Sequence, residues 1–211
     1  MFKDLALTVK LIWAALAVFA ATALWTARWE VAFVAMITFL LSLVPIALAR
    51  WVQIKVPRFF FAVSTAFVGA TLFLGEVFDF YNRFWWWDIL LHGGSALVFG
   101  LMGFTLVFMM FQGNKFAAPH FAVAFFGFCF AMSIGATWEI FEFSMDQAFG
   151  TNMQKSGLVD TMTDLIVDAL GALIGAGSGY GYLKGRDYSR LGAVIEDFVA
   201  RNPRLFRKLR K

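Results

Sequence analysis

Six long apolar segments set the limits on what this chain can become. They lie at about 5–25, 31–49, 59–75, 89–111, 116–141 and 158–182, and charged residues rarely interrupt them. A helix of about 20 apolar residues crosses the hydrocarbon of a bilayer. Every backbone N–H and C=O inside that layer must be paired internally, which leaves only helices or a closed barrel. A barrel would need an apolar residue at every second position, and these runs do not alternate. The expected fold is therefore all-α: a polytopic transmembrane helical bundle with about six spans. Such spans take up roughly 120 residues, so a chain of 211 residues has no room for an extramembrane domain of ordinary size. At 61% hydrophobic and 15% charged, the composition departs from the roughly 45–50% and 25% of soluble domains in the same direction. The 27 Phe and 8 Trp suit lipid-facing surfaces and interfacial belts, and Trp85, Trp86 and Trp87 read as such a belt.

Basic residues give an orientation. If alternate connections face the cytoplasm, that side receives Lys3, Lys10, Arg50, Lys55, Arg58, Lys115 and the C-terminal tail, while Arg28, Arg83 and Lys155 fall opposite. The positive-inside rule then places both termini of a multi-pass membrane protein in the cytoplasm. Lys10 must snorkel to the nearer surface. The first segment also has the outline of a signal sequence, with Lys3 and Lys10 ahead of an apolar stretch ending near Ala21-Thr22-Ala23. Retention as the first span is the favoured reading, and its removal would not reverse the other spans.

The chain divides into a transmembrane helical domain, 1–187, and a basic amphipathic cytoplasmic tail, 188–211. Leu191, Val194, Ile195, Phe198 and Val199 recur at helical intervals in the tail, followed by Leu205, Phe206 and several cations, and the Asn202-Pro203 step interrupts the helix. Such a segment is expected to lie on anionic inner-leaflet lipid. No nucleic-acid partner is expected, because the membrane tether favours lipid contact.

Acidic residues collect on the other side of the membrane. Asp160, Asp164 and Asp168 repeat every four residues, so they occupy one arc of about 80° and rise about 12 Å along a helix. Glu139, Glu142 and Asp146 follow helical spacing in the fifth span, and Asp88 precedes His92 by one turn in the fourth. A charged side chain near the bilayer centre costs about 2.5–3.5 kcal/mol on insertion scales, so these groups should face a bundle interior or a wet cavity. Stacked carboxylates repel on one helix. Relief requires protons, a bound cation or opposing basic side chains, and Arg83, Lys155 and His92 are few against seven acids. Carboxylates suit Mg²⁺, Mn²⁺ or Ca²⁺, while a His ligand also accepts Zn²⁺ or Fe²⁺. The metal candidates are Glu139, Glu142, Asp160, Asp164 and Asp168, and the catalytic candidates are Asp88, His92 and Glu142. The alternatives are a network of neutral acids bonded to Thr161, Thr163, Ser144 and indoles, or a proton or ion pathway.

Other features read as structural. The run Gly171-Ala172-Leu173-Ile174-Gly175-Ala176-Gly177-Ser178-Gly179 has the small-residue spacing of close helix contacts and follows no strand, so it is not a dinucleotide loop. His120 falls far from the acids. The single cysteine, Cys129, excludes a disulfide framework.

The segments Trp87-Asp88-Ile89-Leu90-Leu91-His92, Trp138-Glu139-Ile140-Phe141-Glu142 and 150–164 resemble the bacterial inner-membrane YjdF family over roughly residues 76–175. That resemblance implies a multispan helical protein and supplies no reaction. A more distant similarity is to VanZ-like membrane proteins, in which Asp88, His92, Glu142, Asp164, Asp168 and Gly171 occupy comparable places. Asp160 stands where that pattern often has Arg nearby and Asp168 where it often has Asn, so this version is more acidic and inferences about anionic ligands weaken. Together these features point to an integral membrane protein with a carboxylate-rich intramembrane site that binds a divalent metal and hydrolyses a lipid or lipid-linked phosphate. Proton or metal-ion transport and a noncatalytic membrane assembly role are the competing readings.

Overall fold

The computed structural model describes residues 6–111, 114, 116–185 and 190–206. Lys3 and Lys115, named above for topology, and residues 188–189 and 207–211 of the tail lie outside them. Among the described residues all regular structure is helical. The helices are α1 (Leu7–Trp25), α2 (Trp29–Trp51), α3 (Arg58–Val77), the single turn α4 (Phe80–Arg83), α5 (Trp87–Met110), α6 (His120–Phe149), α7 (Leu158–Leu183) and α8 (Arg190–Arg201). Length and composition qualify α1, α2, α3, α5 and α6 as membrane spans. The sixth long helix, α7, has 26 residues, or about 39 Å at the usual rise, but its acids and glycines dilute its apolar character.

The chain forms two compact units that divide between Trp87 and Asp88. In the first, Leu16, Ala35 and Phe73 are buried together, with Ile12, Ala20, Val34, Phe39, Val77 and Phe78 packed around them. The Trp13 indole donates to Ser42 Oγ at 2.8 Å, which joins α1 to α2. From Gly69 to Val77, α3 is wound as a π-helix. A Cβ at Gly75 would overlap the Tyr81 ring as it is placed, so glycine lets that ring pack directly on the backbone.

The second unit holds α5 to α8. Helix α7 is amphipathic in the reverse of the soluble sense. Leu158, Val159, Met162, Ile166, Leu170, Leu173 and Ile174 are exposed, whereas Asp164, Asp168, Gly171, Ala172, Gly175, Ala176 and Gly179 are buried. Apolar side chains thus face outward, as lipid requires, and small residues let the backbones of neighbouring helices approach. A Cβ on Gly171 would strike the carbonyl oxygen of Gly93 and one on Gly175 that of Leu97, both on α5. Gly127 of α6 sits equally close to the backbone of Phe104. The glycine run therefore serves helix contact, as its spacing implies.

Helix α6 starts just after Pro119 and runs to Phe149, eight residues past the apolar segment read from sequence. It stops at Gly150, whose φ of 65° suits glycine at a helix C-terminus. Helix α8 ends at Arg201, immediately before Asn202-Pro203. Its apolar stripe is covered by protein: Ile195 and Phe206 are buried with Leu101, Phe104, Phe108, Val123 and Leu183, and Leu191, Phe198 and Val199 pack alongside. The tail's amphipathic pattern is real, but the bundle takes up the apolar face that sequence analysis assigned to the bilayer surface.

Backbone carbonyls cannot yield to a new methyl group as flexible side chains can, and overpacking typically costs about 1–3 kcal/mol. Gly175→Ala should therefore lower the thermal midpoint of the detergent-solubilised protein by several degrees. Gly177→Ala, where a Cβ meets nothing within 4 Å, should leave it unchanged or raise it through helix propensity. Equal midpoints for the two variants would contradict this packing.

Candidate metal centre

The N-terminal halves of α5 and α7 and the C-terminal half of α6 bring four of the acids singled out in the sequence to one imidazole, with Asp160 beside Asp88 and Asp164. Asp88 opens α5 and His92 follows one turn later, while Asp160, Asp164 and Asp168 descend one face of α7 and Glu139 enters from α6. The N-terminal ends of α5 and α7 carry partial positive charge, which favours Asp88 and Asp160 in their first turns.

His92 is at the centre. Its Nδ1 lies 3.3 Å from Asp168 Oδ1. Its Nε2 faces Asp88 Oδ1 at 3.9 Å, Glu139 Oε1 at 3.9 Å and Asp164 Oδ2 at 4.0 Å. The two ring nitrogens therefore have different surroundings: Asp168 orients the ring, and Nε2 points at a group of carboxylates beyond hydrogen-bond range. Asp88, one turn before His92 on the same helix, is farther from the ring than Asp168. Asp88 instead accepts from Lys155 Nζ at 3.2 Å.

Glu139, Asp164 and Asp168 are 4%, 3% and 1% exposed. Oδ2 of Asp164 and Oδ2 of Asp168 are buried without a hydrogen-bond partner in the protein, and both carboxylate oxygens of Glu139 are buried with the Thr161 hydroxyl as a nearby donor. Protein interiors seldom leave such groups unsatisfied. Ligand atoms of His92, Glu139 and Asp164 all lie within 4.8 Å of one another, and so do those of Asp88, Asp160 and Asp164.

Two predicted residues have other surroundings. Glu142 accepts the Trp138 indole N–H at 2.9 Å and belongs to neither group, although it interacts electrostatically with Glu139, Asp88 and His92. Asp146 organises the connection to α7: it accepts from the Thr151 hydroxyl at 2.6 Å and from the Met153 and Gln154 amides at 2.8 and 2.9 Å. His120 begins α6, nineteen residues before Glu139 and thus about 28 Å away along the helix.

Gly135 was not singled out in the sequence. A Cβ there would collide with the Asp168 carboxylate, so the bare backbone of α6 makes the space in which Asp168 sits. Its position one turn before Glu139, on the same face of α6, is the signal that could have found it.

A bundle of apolar-surfaced helices around a buried acid and histidine cluster defines an integral membrane protein with a buried polar site. The chain belongs to the DUF2238 family, described as predicted membrane proteins, whose model matches residues 7–185. It is 29% identical over 98 residues to an uncharacterised protein of Thermotoga maritima, a match covering 46% of this chain and 50% of that protein. The chain thus spans about half the length of the curated relative it matches. No solved structure matches it.

The Gly135 contact can be isolated by a double-mutant cycle. Gly135→Ala should destabilise the protein by about 1–3 kcal/mol in the wild-type background. The same change should cost little beside Asp168→Ala, because the colliding carboxylate is gone. Additivity of the two substitutions within about 0.5 kcal/mol in thermal unfolding would show that they do not touch.

Proposed function

We propose that this protein binds a divalent cation between His92, Glu139 and Asp164 and uses it to hydrolyse a phosphate ester on a lipid or lipid-linked substrate. The observation that carries this reading is the imidazole Nε2 turned toward Glu139 and Asp164 at 3.9 and 4.0 Å, with the Glu139 oxygens and Asp164 Oδ2 buried and short of hydrogen-bond donors. Two edges of this triangle are 3.9 and 4.0 Å and the ligand atoms of all three residues lie within 4.8 Å of one another, so a point between them lies roughly 2.3–2.5 Å from each, close to metal–nitrogen and metal–oxygen bond lengths. Asp168 on Nδ1 supplies the carboxylate–histidine contact that commonly fixes the tautomer of a ligating imidazole. The donor set admits Mn²⁺, Zn²⁺ or Fe²⁺.

A bound cation would polarise a phosphoryl oxygen and favour deprotonation of water. Hydrolysis forms one bond from water oxygen to phosphorus and breaks the phosphorus–oxygen bond to the lipid. Glu142, outside both ligand groups, is assigned the proton from that water and its return to the leaving oxygen. The resemblance to VanZ-like proteins bears on the same places, since Asp88, His92, Asp164 and Asp168 meet here and Gly171 packs on Gly93. The outward basic residues Arg190, Arg201 and Arg204 are assigned to anionic headgroups on the inner leaflet of a bacterial plasma membrane, with both termini cytoplasmic.

One observation ranks catalysis above transport. Residues 93–110 of α5, 121–138 of α6 and 169–183 of α7 contain no Asp, Glu, Lys, Arg or His. An ion relay entering through Asp160 would have no charged side chain on these helices to continue it beyond Asp168, where the helices close on glycine and alanine.

Metal binding is testable through stability. Metal-stripped protein in detergent should gain several degrees in thermal midpoint with Mn²⁺ or Zn²⁺, since ligand at a hundred times its Kd stabilises by about 2.7 kcal/mol. The double variant Glu139→Gln, Asp164→Asn should match or exceed the stripped wild type, because two buried charges are removed, and should lose the metal-induced gain. A wild type indifferent to every divalent cation would overturn the site. Phosphate release from vesicles containing phosphatidate or a polyprenyl diphosphate should require metal and fall at least tenfold in Glu142→Gln; metal-ion flux without release would overturn the catalytic assignment.

A further inference from the structure

We propose a second cation position at the more exposed end of the acid cluster, formed by Asp88, Asp160 and Asp164, with Asp164 shared with the inner position and the Lys155 ammonium held there when no second ion is bound. The proposal rests on the inner position assigned above and extends it to a two-cation centre.

Three observations place this position. Ligand atoms of Asp88, Asp160 and Asp164 lie within 4.8 Å of one another, and Asp164 also belongs to the group containing His92. A carboxylate has two oxygens and can bridge two ions. Asp164 is 3% exposed and its Oδ2 has no partner in the protein, so the shared residue is buried and short of donors. Finally, the outer group already attracts a cation, for Lys155 Nζ lies 3.2 Å from Asp88 Oδ2 and acts electrostatically on Asp160.

Local structure delivers that ammonium. Asp146 fixes the preceding loop through Thr151, Met153 and Gln154, and the Gln154 side-chain amide donates to Thr161 Oγ1 on α7 at 2.6 Å. Lys155 follows directly, with its side chain 33% exposed, so it can move into water when a stronger cation arrives. The outer ligands are all oxygen, the preference of hard ions such as Mg²⁺, Mn²⁺ and Ca²⁺, whereas the inner group includes an imidazole. Paired cations about 3.5–4 Å apart clamp both the attacking and the leaving oxygen of a phosphate ester, so a second ion fits the substrate class assigned above.

Mn²⁺ titration of the full chain in detergent, read by equilibrium binding and electron paramagnetic resonance, tests this arrangement. The wild type should bind two ions, one more weakly, with the filled protein giving an exchange-coupled signal. Lys155→Ala, on an exposed loop, should tighten the weaker ion about tenfold by removing its competing charge. Asp160→Asn should abolish the weaker ion and the coupling while leaving the tight ion in place. A single ion in wild type and Lys155→Ala alike, with an uncoupled signal, would overturn the second position and leave the inner one standing. No bound ion in any form would overturn both.

Discussion

Glu139, Asp164 and Asp168 are carboxylates packed between helices whose outer surfaces are Leu, Ile, Val, Met and Phe. Each would cost about 2.5–3.5 kcal/mol at the centre of a bilayer by insertion scales, and more if ionised beside its neighbours. Much else in the second unit follows from having to accommodate them. One imidazole serves several acids at once, helix N-termini are turned toward the outermost two, and a lysine is brought to the rim by a braced loop. On the proposal above, a cation completes the neutralisation that these groups begin, at the buried oxygens short of donors.

Close helix packing makes such a chamber possible. Lipid tails give helices no hydrophobic incentive to associate, so contact area and backbone approach have to supply it. Glycines 93, 100, 127, 171, 175 and 179 bring α5, α6 and α7 within reach of one another's main chains or rings. Gly135 does the converse: the side chain it lacks makes room for the Asp168 carboxylate. The same residue type therefore closes the bundle along most of its length and opens it at one level. On the far side of that level the bundle is apolar, with Phe104 and Phe108 fully enclosed.

The helical fold was legible because hydrocarbon permits so few alternatives, and apolar run length alone placed six long helices to within a few residues at most ends. The four-residue spacing of Asp160, Asp164 and Asp168 also marked them as one face of one helix. How that face is turned toward its neighbours is another matter, because helix rotation and cross-helix register arise from packing. Glu139 and Glu142 are only three residues apart, yet Glu139 is buried against His92 while Glu142 binds the Trp138 indole at the flank. Asp146 follows the same helical spacing but is spent on a turn, because Gly150 ends the helix and folds the following amides back onto it. The tail's stripe announced a buried face, which its basic, amphipathic pattern assigned to the bilayer surface, but Phe108 and Leu183 of the bundle cover it.

The central claim is that these acids are arranged around a metal ion rather than merely tolerated. Anomalous diffraction from crystals grown with Mn²⁺ addresses it most directly. The account predicts a peak bonded to His92 Nε2 and to carboxylate oxygens of Glu139 and Asp164, with Asp168 remaining on Nδ1. A chamber with no anomalous density at saturating Mn²⁺, and the carboxylates paired by shared protons, would contradict it.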